Sequence, residues 1–133
     1  VPEFLLPYGA VVAAFGATGV LILVQMLVAD IAGVRARHVP GAPVPTDHGL
    51  FLFRAVRAHA NTNESVAAFV LLALFGIFNG ADAQWLGILA WTYVGGRVAH
   101  MLCYYADQRL LRSLAFAIAL LALLAMAVVG ALG

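Results

Sequence analysis

The chain has 133 residues, of which 65% are hydrophobic and 10% charged, with a net charge of +1. A soluble domain of this size could not hide that much apolar surface, and so small a charge is no electrostatic footprint for nucleic acid. What remains is an all-α integral membrane protein of one domain, 1–133, because a bilayer core of about 30 Å needs only about 20 apolar residues per helix. The single cysteine, Cys103, excludes an intrachain disulfide and a cysteine-cluster metal site, and no metal is expected.

Four apolar blocks cover residues 8–29, 66–78, 83–106 and 113–133, the third interrupted by Arg97 and His100. With their polar flanks they predict four transmembrane helices, at about 8–34, 48–79, 83–106 and 110–132, around a loop at about 35–47. The first block is too long for the apolar region of a signal peptide. It has Pro2 and Glu3 before it instead of basic residues, so it reads as a permanent helix starting near Pro7. Gly9, Gly16 and Gly19 offer it small surfaces for close helix packing.

The loop contains Pro40, Gly41, Pro43 and Pro45 and is expected to be irregular, with Thr46 or Asp47 capping the second helix. All seven basic residues are arginines. Arg35, Arg37, Arg54 and Arg57 flank the first connection and Arg109 and Arg112 the third, whereas the 80–84 turn and the two ends of the chain have none. The positive-inside rule then puts the first and third connections in the cytoplasm and both termini on the opposite side.

A second helix over 48–79 is about 48 Å long, more than the hydrocarbon requires, so its polar first half projects toward the cytoplasmic interface. On it, Arg54, Arg57, Asn61 and Glu64 are spaced by three, four and three and share one face, with His59 off the stripe. The third helix repeats the device with Tyr93, Arg97, His100, Tyr104 and Asp107. Antiparallel register across the turn near Gly80 sets Arg57 level with Tyr104, Asn61 with His100, and Glu64 with Arg97. A buried Glu64–Arg97 ion pair follows as the economical arrangement, since either charge alone is costly at that depth.

A purely structural reading covers part of this. Glu64 and Arg97 at matched depth read as a clamp more readily than as a catalytic pair, Asn61 and His100 can bridge helices, and Arg35, Arg37 and Arg54 can snorkel to lipid headgroups. The count of groups is harder to absorb. Arg35, Arg57, Arg97, Arg109 and Arg112 outnumber Glu64 and Asp107 in this half, beside Asn, His and Tyr side chains. Such a cluster suits an anionic ligand that accepts hydrogen bonds, with the bilayer supplying a hydrophobic second substrate.

The segment from Arg57 to Glu64, Arg-Ala-His-Ala-Asn-Thr-Asn-Glu, resembles the Arg-Ala-x-x-Asn-x-x-Glu signature of the MAPEG family, membrane-associated proteins in eicosanoid and glutathione metabolism. Gly96-Arg97-Val98-Ala99-His100 followed by Tyr104, then Arg112-Ser113, is similar to the third and fourth helices of its microsomal prostaglandin E synthase and glutathione transferase branch. Val34-Arg35-Ala36-Arg37 resembles the end of that branch's first helix. The resemblance implies a homotrimer of four-helix subunits embedded among membrane lipids, with glutathione as cosubstrate between neighbouring subunits. It places Arg35, Arg57, His59, Asn61, Glu64, His100, Tyr104 and Arg109 or Arg112 at the glutathione site, with Arg97 paired to Glu64. It assigns the thiolate to Arg112, helped by Ser113, with Arg109 a rival. The implied activity is that of a glutathione-dependent transferase or peroxidase on hydrophobic electrophiles or lipid hydroperoxides; the alternative is a non-catalytic lipid-binding or scaffold member. Two departures bear on that choice: Ser65 and Phe116 stand where some members carry tyrosines.

Overall fold

The computed structural model describes residues 1–133 and is helical throughout its ordered elements. A short 3-10 helix, Glu3–Tyr8, leads into α1 (Gly9–Arg35), followed by α2 (Phe51–Phe78), α3 (Ala83–Tyr105) and α4 (Arg109–Leu132). The four helices lie within three residues of the expected spans. The 3-10 turn displaces the start of α1 past Pro7, whose ring is accommodated in the tighter turn. α2 starts later than 48 because Asp47 spends its carboxylate on the Gly49 N–H, at 2.8 Å, and leaves Leu50 at the helix entry without a side-chain cap.

Three helices end alike. At the end of α1, His38 N bonds Gly33 O and Arg37 N bonds Val34 O, and the same paired bonds close α2 onto Gly76 and Ile77 and α3 onto Cys103 and Tyr104. This Schellman arrangement requires a left-handed residue, supplied by Gly80 after α2 but by Arg37 (φ 54°) and Asp107 (φ 56°) after α1 and α3.

α3 lies against all three other helices and pairs most extensively with α4. One core of Val11, Phe69, Ala73, Leu86, Tyr93, Met126 and their neighbours joins all four helices. Only 33 of the 133 residues are buried, while Val20, Leu23, Leu27, Ile31, Leu71, Leu110, Leu121 and Leu124 lie open on the outer faces, an apolar exterior suited to lipid and not to water. The 3-10 turn with α1, α2 and α4 are each long and apolar enough to cross a membrane. The polar stripe of α3 sets it apart from these three, and that stripe is turned inward: Tyr93, Arg97, His100 and Tyr104 are all buried.

Within the subunit, close packing is made by other glycines than the three expected. A Cβ on Gly9, Gly16 or Gly19 would meet nothing within 4 Å, because that face of α1 points away from the bundle. Tight approach occurs instead at Gly96, where an added Cβ would lie 3.1 Å from Ala119 Cβ and Ala119 N, and at Gly76 against Leu86. At the end opposite the first connection, Tyr8 Oη donates to Ala81 O at 2.7 Å and Asn79 Nδ2 to Gly130 O at 2.8 Å, tying the α2–α3 turn to both ends of the chain.

Candidate functional site

The first and third connections meet at one end of the bundle. There Arg54 donates through Nη1 to His48 O at 2.6 Å and reaches Tyr105 O at 3.5 Å, so the loop entering α2 is fastened to the end of α3. His48 then lies edge-on to Phe53 and near parallel to the Tyr104 ring, with centroids 6.4 Å apart.

Just inside this end, α2, α3 and α4 enclose a cleft of about 200 Å³ lined by Asn61, His100, Tyr104, Arg112, Ser113 and Phe116. Each side chain is placed by its helix. Asn61 faces α3 from the α2 stripe. His100 and Tyr104 are one turn apart on α3, with rings 5.1 Å apart and inclined at 63°. Arg112 comes from the first turn of α4, where the helix dipole already favours an anion, and its guanidinium carbon stands 4.3 Å above the Tyr104 ring centroid. Ser113 borders the cleft with its hydroxyl bonded back to Arg109 O at 3.1 Å. Phe116 forms the remaining wall, 6.3 Å from His100.

Other expected site residues lie elsewhere within the single chain. Arg35 lines a separate, mostly apolar cavity of about 630 Å³ between the end of α1, the loop and the start of α2. His59 pairs with Asn63, at 3.2 Å, on another face of α2. Arg109 is exposed at the start of α4 and does not line the cleft.

The expected Glu64–Arg97 ion pair is not formed. Glu64 faces Arg57 at 3.7 Å, in a pair whose side chains are 60% and 38% exposed. Arg97, only 1% exposed, instead donates to Asn61 Oδ1 at 2.6 Å. The reason is angular: Glu64 is nearly one helical turn beyond Asn61 and points out of the bundle, whereas Asn61 and Thr62 point in.

Residues absent from the expected set complete the inner polar layer. Arg97 Nη2 lies 3.3 Å from Thr62 Oγ1, which accepts from Gln25 Nε2 of α1 at 3.0 Å. Ser65 and Tyr93 hydroxyls pair at 2.8 Å. Gln25 was visible as the one carboxamide inside the first apolar block, but only the packing reveals what it faces.

Four antiparallel helices with apolar outer faces around one cation-bearing polar cleft define an integral membrane protein built around a polar site. The chain belongs to the MAPEG family, whose model matches residues 6–132. No curated protein matches it.

Proposed function

We propose that this protein is a glutathione-dependent transferase or peroxidase that acts on hydrophobic electrophiles or lipid hydroperoxides, with Arg112 stabilising the glutathione thiolate. The observation that carries this reading is the position of Arg112, on a wall shared with Asn61, His100, Tyr104 and Ser113. A thiol with a pKa of about 8.5 is mostly protonated at neutral pH, and a guanidinium beside the sulfur favours the nucleophilic thiolate. Arg112 cannot serve as a base, so its role is electrostatic; the thiol proton passes to solvent. Attack of the thiolate on an electrophilic carbon forms a thioether and expels the leaving group with the bonding pair. Attack on a hydroperoxide oxygen gives an alcohol and a sulfenic acid, which a second glutathione converts to the disulfide and water.

Family membership supports a homotrimer, and so does the surface of α2. Asn63 and Glu64 are exposed near the middle of a 28-residue helix, about 20 Å from either end, where lipid is a poor partner for them. A neighbouring copy would cover them. The cleft alone, at about 200 Å³, also falls below the roughly 300–1,000 Å³ of small-molecule pockets, so a tripeptide needs the partner's surface as well. In that arrangement Arg35, Arg57, His59 and Glu64 are the residues available to complete the site from the cytoplasmic half, with both termini on the far side. Crosslinking in native membranes is expected to trap trimer; a ladder that stops at dimer contradicts it.

The test of function is glutathione-dependent turnover of an aryl halide and of a lipid hydroperoxide by the purified protein. Arg112→Ala is expected to lower kcat by about 10²–10³, the effect typical of removing one group that stabilises a developing anion. Wild-type protein with neither glutathione binding nor turnover refutes the reading. It would leave the second one, a lipid-binding or scaffold protein, which Phe116 favours by giving the cleft an aromatic wall without a hydroxyl. Mass spectrometry of the ligand retained on purification separates glutathione from another small anionic thiol.

A further inference from the structure

Arg97 lies directly behind the cleft with no carboxylate at ion-pair distance. Its Nη2 donates one N–H to Asn61 Oδ1 at 2.6 Å and shares the other between His100 Nδ1 and Thr62 Oγ1, each at 3.3 Å. A guanidinium has donors and no acceptor, while a carboxamide and a neutral imidazole each have one donor side and one acceptor side. Facing Arg97, Asn61 must therefore turn its oxygen inward, and His100 must hold Nδ1 unprotonated with the ring proton on Nε2. Both residues line the cleft, and what they leave for it is the His100 Nε2–H and the Asn61 amide nitrogen, one of whose two N–H groups makes a long 3.5 Å contact with Glu64 Oε2 and the other of which has no partner.

We propose that Arg97 is a positioning residue that sets the polarity of the cleft, converting Asn61 and His100 into N–H donors aimed at an anionic, acceptor group such as a carboxylate. Together with Arg112 they make a wall of donors that rejects an ammonium and accepts an anion. Arg97 is itself held from α1. Gln25, fully buried, gives Nε2 to Thr62 Oγ1, the same oxygen that receives Arg97, so the chain of contacts runs from Gln25 through Thr62 and Arg97 to the cleft wall. Gln25 Oε1 has no partner in the chain and adds an uncommitted acceptor to this buried layer.

The wall's polarity rests on geometry alone; that the anion belongs to glutathione rests on the function proposed above. The test is nitrogen NMR of the protein carrying ¹⁵N-histidine in nanodiscs, with His100→Gln to assign the signal. Wild-type His100 is expected as the neutral Nε2–H tautomer. Thr62→Val and Gln25→Leu, which keep Arg97 and remove its support, are expected to move part of the population to Nδ1–H. Arg97→Gln is expected to move more of it where the bundle still folds. A wild-type ring protonated on Nδ1, or a tautomer indifferent to both supporting variants, overturns the proposal. In parallel, glutathione affinity is expected to fall by about tenfold or more in Arg97→Gln and Thr62→Val, as expected for weakened hydrogen bonds to a charged group, with kcat at saturation largely kept. A shifted tautomer with unchanged affinity refutes the selectivity. Wild-type protein that shows the Nε2–H tautomer but binds no glutathione refutes the choice of ligand and leaves the polarity of the wall standing.

Discussion

Gly95 and Gly96 are neighbours on α3 with opposite surroundings, which makes them a matched pair for measuring how tightly α3 and α4 are packed. A Cβ at Gly95 meets nothing within 4 Å, while one at Gly96 lies 3.1 Å from Ala119 Cβ and Ala119 N and 3.3 Å from Ala115 O. Two of those three atoms are backbone and cannot rotate aside, so α4 itself must retreat by a few tenths of an ångström. Both substitutions to Ala gain about 1 kcal/mol of helix propensity. Only Gly96→Ala adds crowding, at about 1–3 kcal/mol for one methyl forced into a packed interface. Gly95→Ala is therefore expected to stabilise by up to about 1 kcal/mol and Gly96→Ala to be neutral or destabilising by up to about 2 kcal/mol. Because α4 carries Arg112 and Ser113 while α3 carries His100 and Tyr104, the same retreat widens the cleft, and Gly96→Ala should also weaken binding of the glutathione proposed above as its ligand. The assay is reversible denaturant unfolding in detergent followed by circular dichroism, with ligand titration of the same samples. Equal stability and equal affinity in the two variants would refute the packing argument.

Further outcomes follow from the same structure. In subunits dissociated by detergent, where no neighbouring copy covers the pair, Glu64→Gln should change stability by less than about 1 kcal/mol, as for an exposed pair, measured by the same unfolding curves; a loss of about 3–5 kcal/mol would mean a charge pair buried within the subunit. Ser65→Ala should cost about 1–3 kcal/mol by stranding the Tyr93 hydroxyl, which lies on a fully buried residue. The Ser65→Ala/Tyr93→Phe double variant should recover part of that loss in a double-mutant cycle, and strict additivity would argue against the bond. Asp107→Gly removes a side chain from a left-handed residue and should raise stability by about 1 kcal/mol, read as a shift in unfolding midpoint.

The identity of Arg97's partner marks where sequence reasoning stopped. Spacing by three and four placed Arg57, Asn61 and Glu64 on one side of α2 and Arg97, His100 and Tyr104 on one side of α3, and the structure brings Asn61 of the first set against the second. Level alone, however, does not say which of two neighbouring residues turns inward. A stripe about 80° wide contains both Asn61, which faces Arg97, and Glu64, which faces outward to Arg57. The glycines teach the same lesson. Their small size was visible in α1, but within the subunit that face meets nothing, and the close approaches lie at Gly76, Gly87, Gly96 and Gly130.

Composition, hydropathy and the placement of seven arginines determined by themselves that this chain is a helical membrane protein with its polar groups concentrated toward one end, because burial in lipid constrains each helix separately and leaves its mark on each stretch of sequence. Which polar groups meet was decided only by tertiary packing. The meeting of Gln25, Thr62 and Arg97 joins three helices through side-chain directions and interhelical rotation, and neither quantity has a local period that a sequence can display.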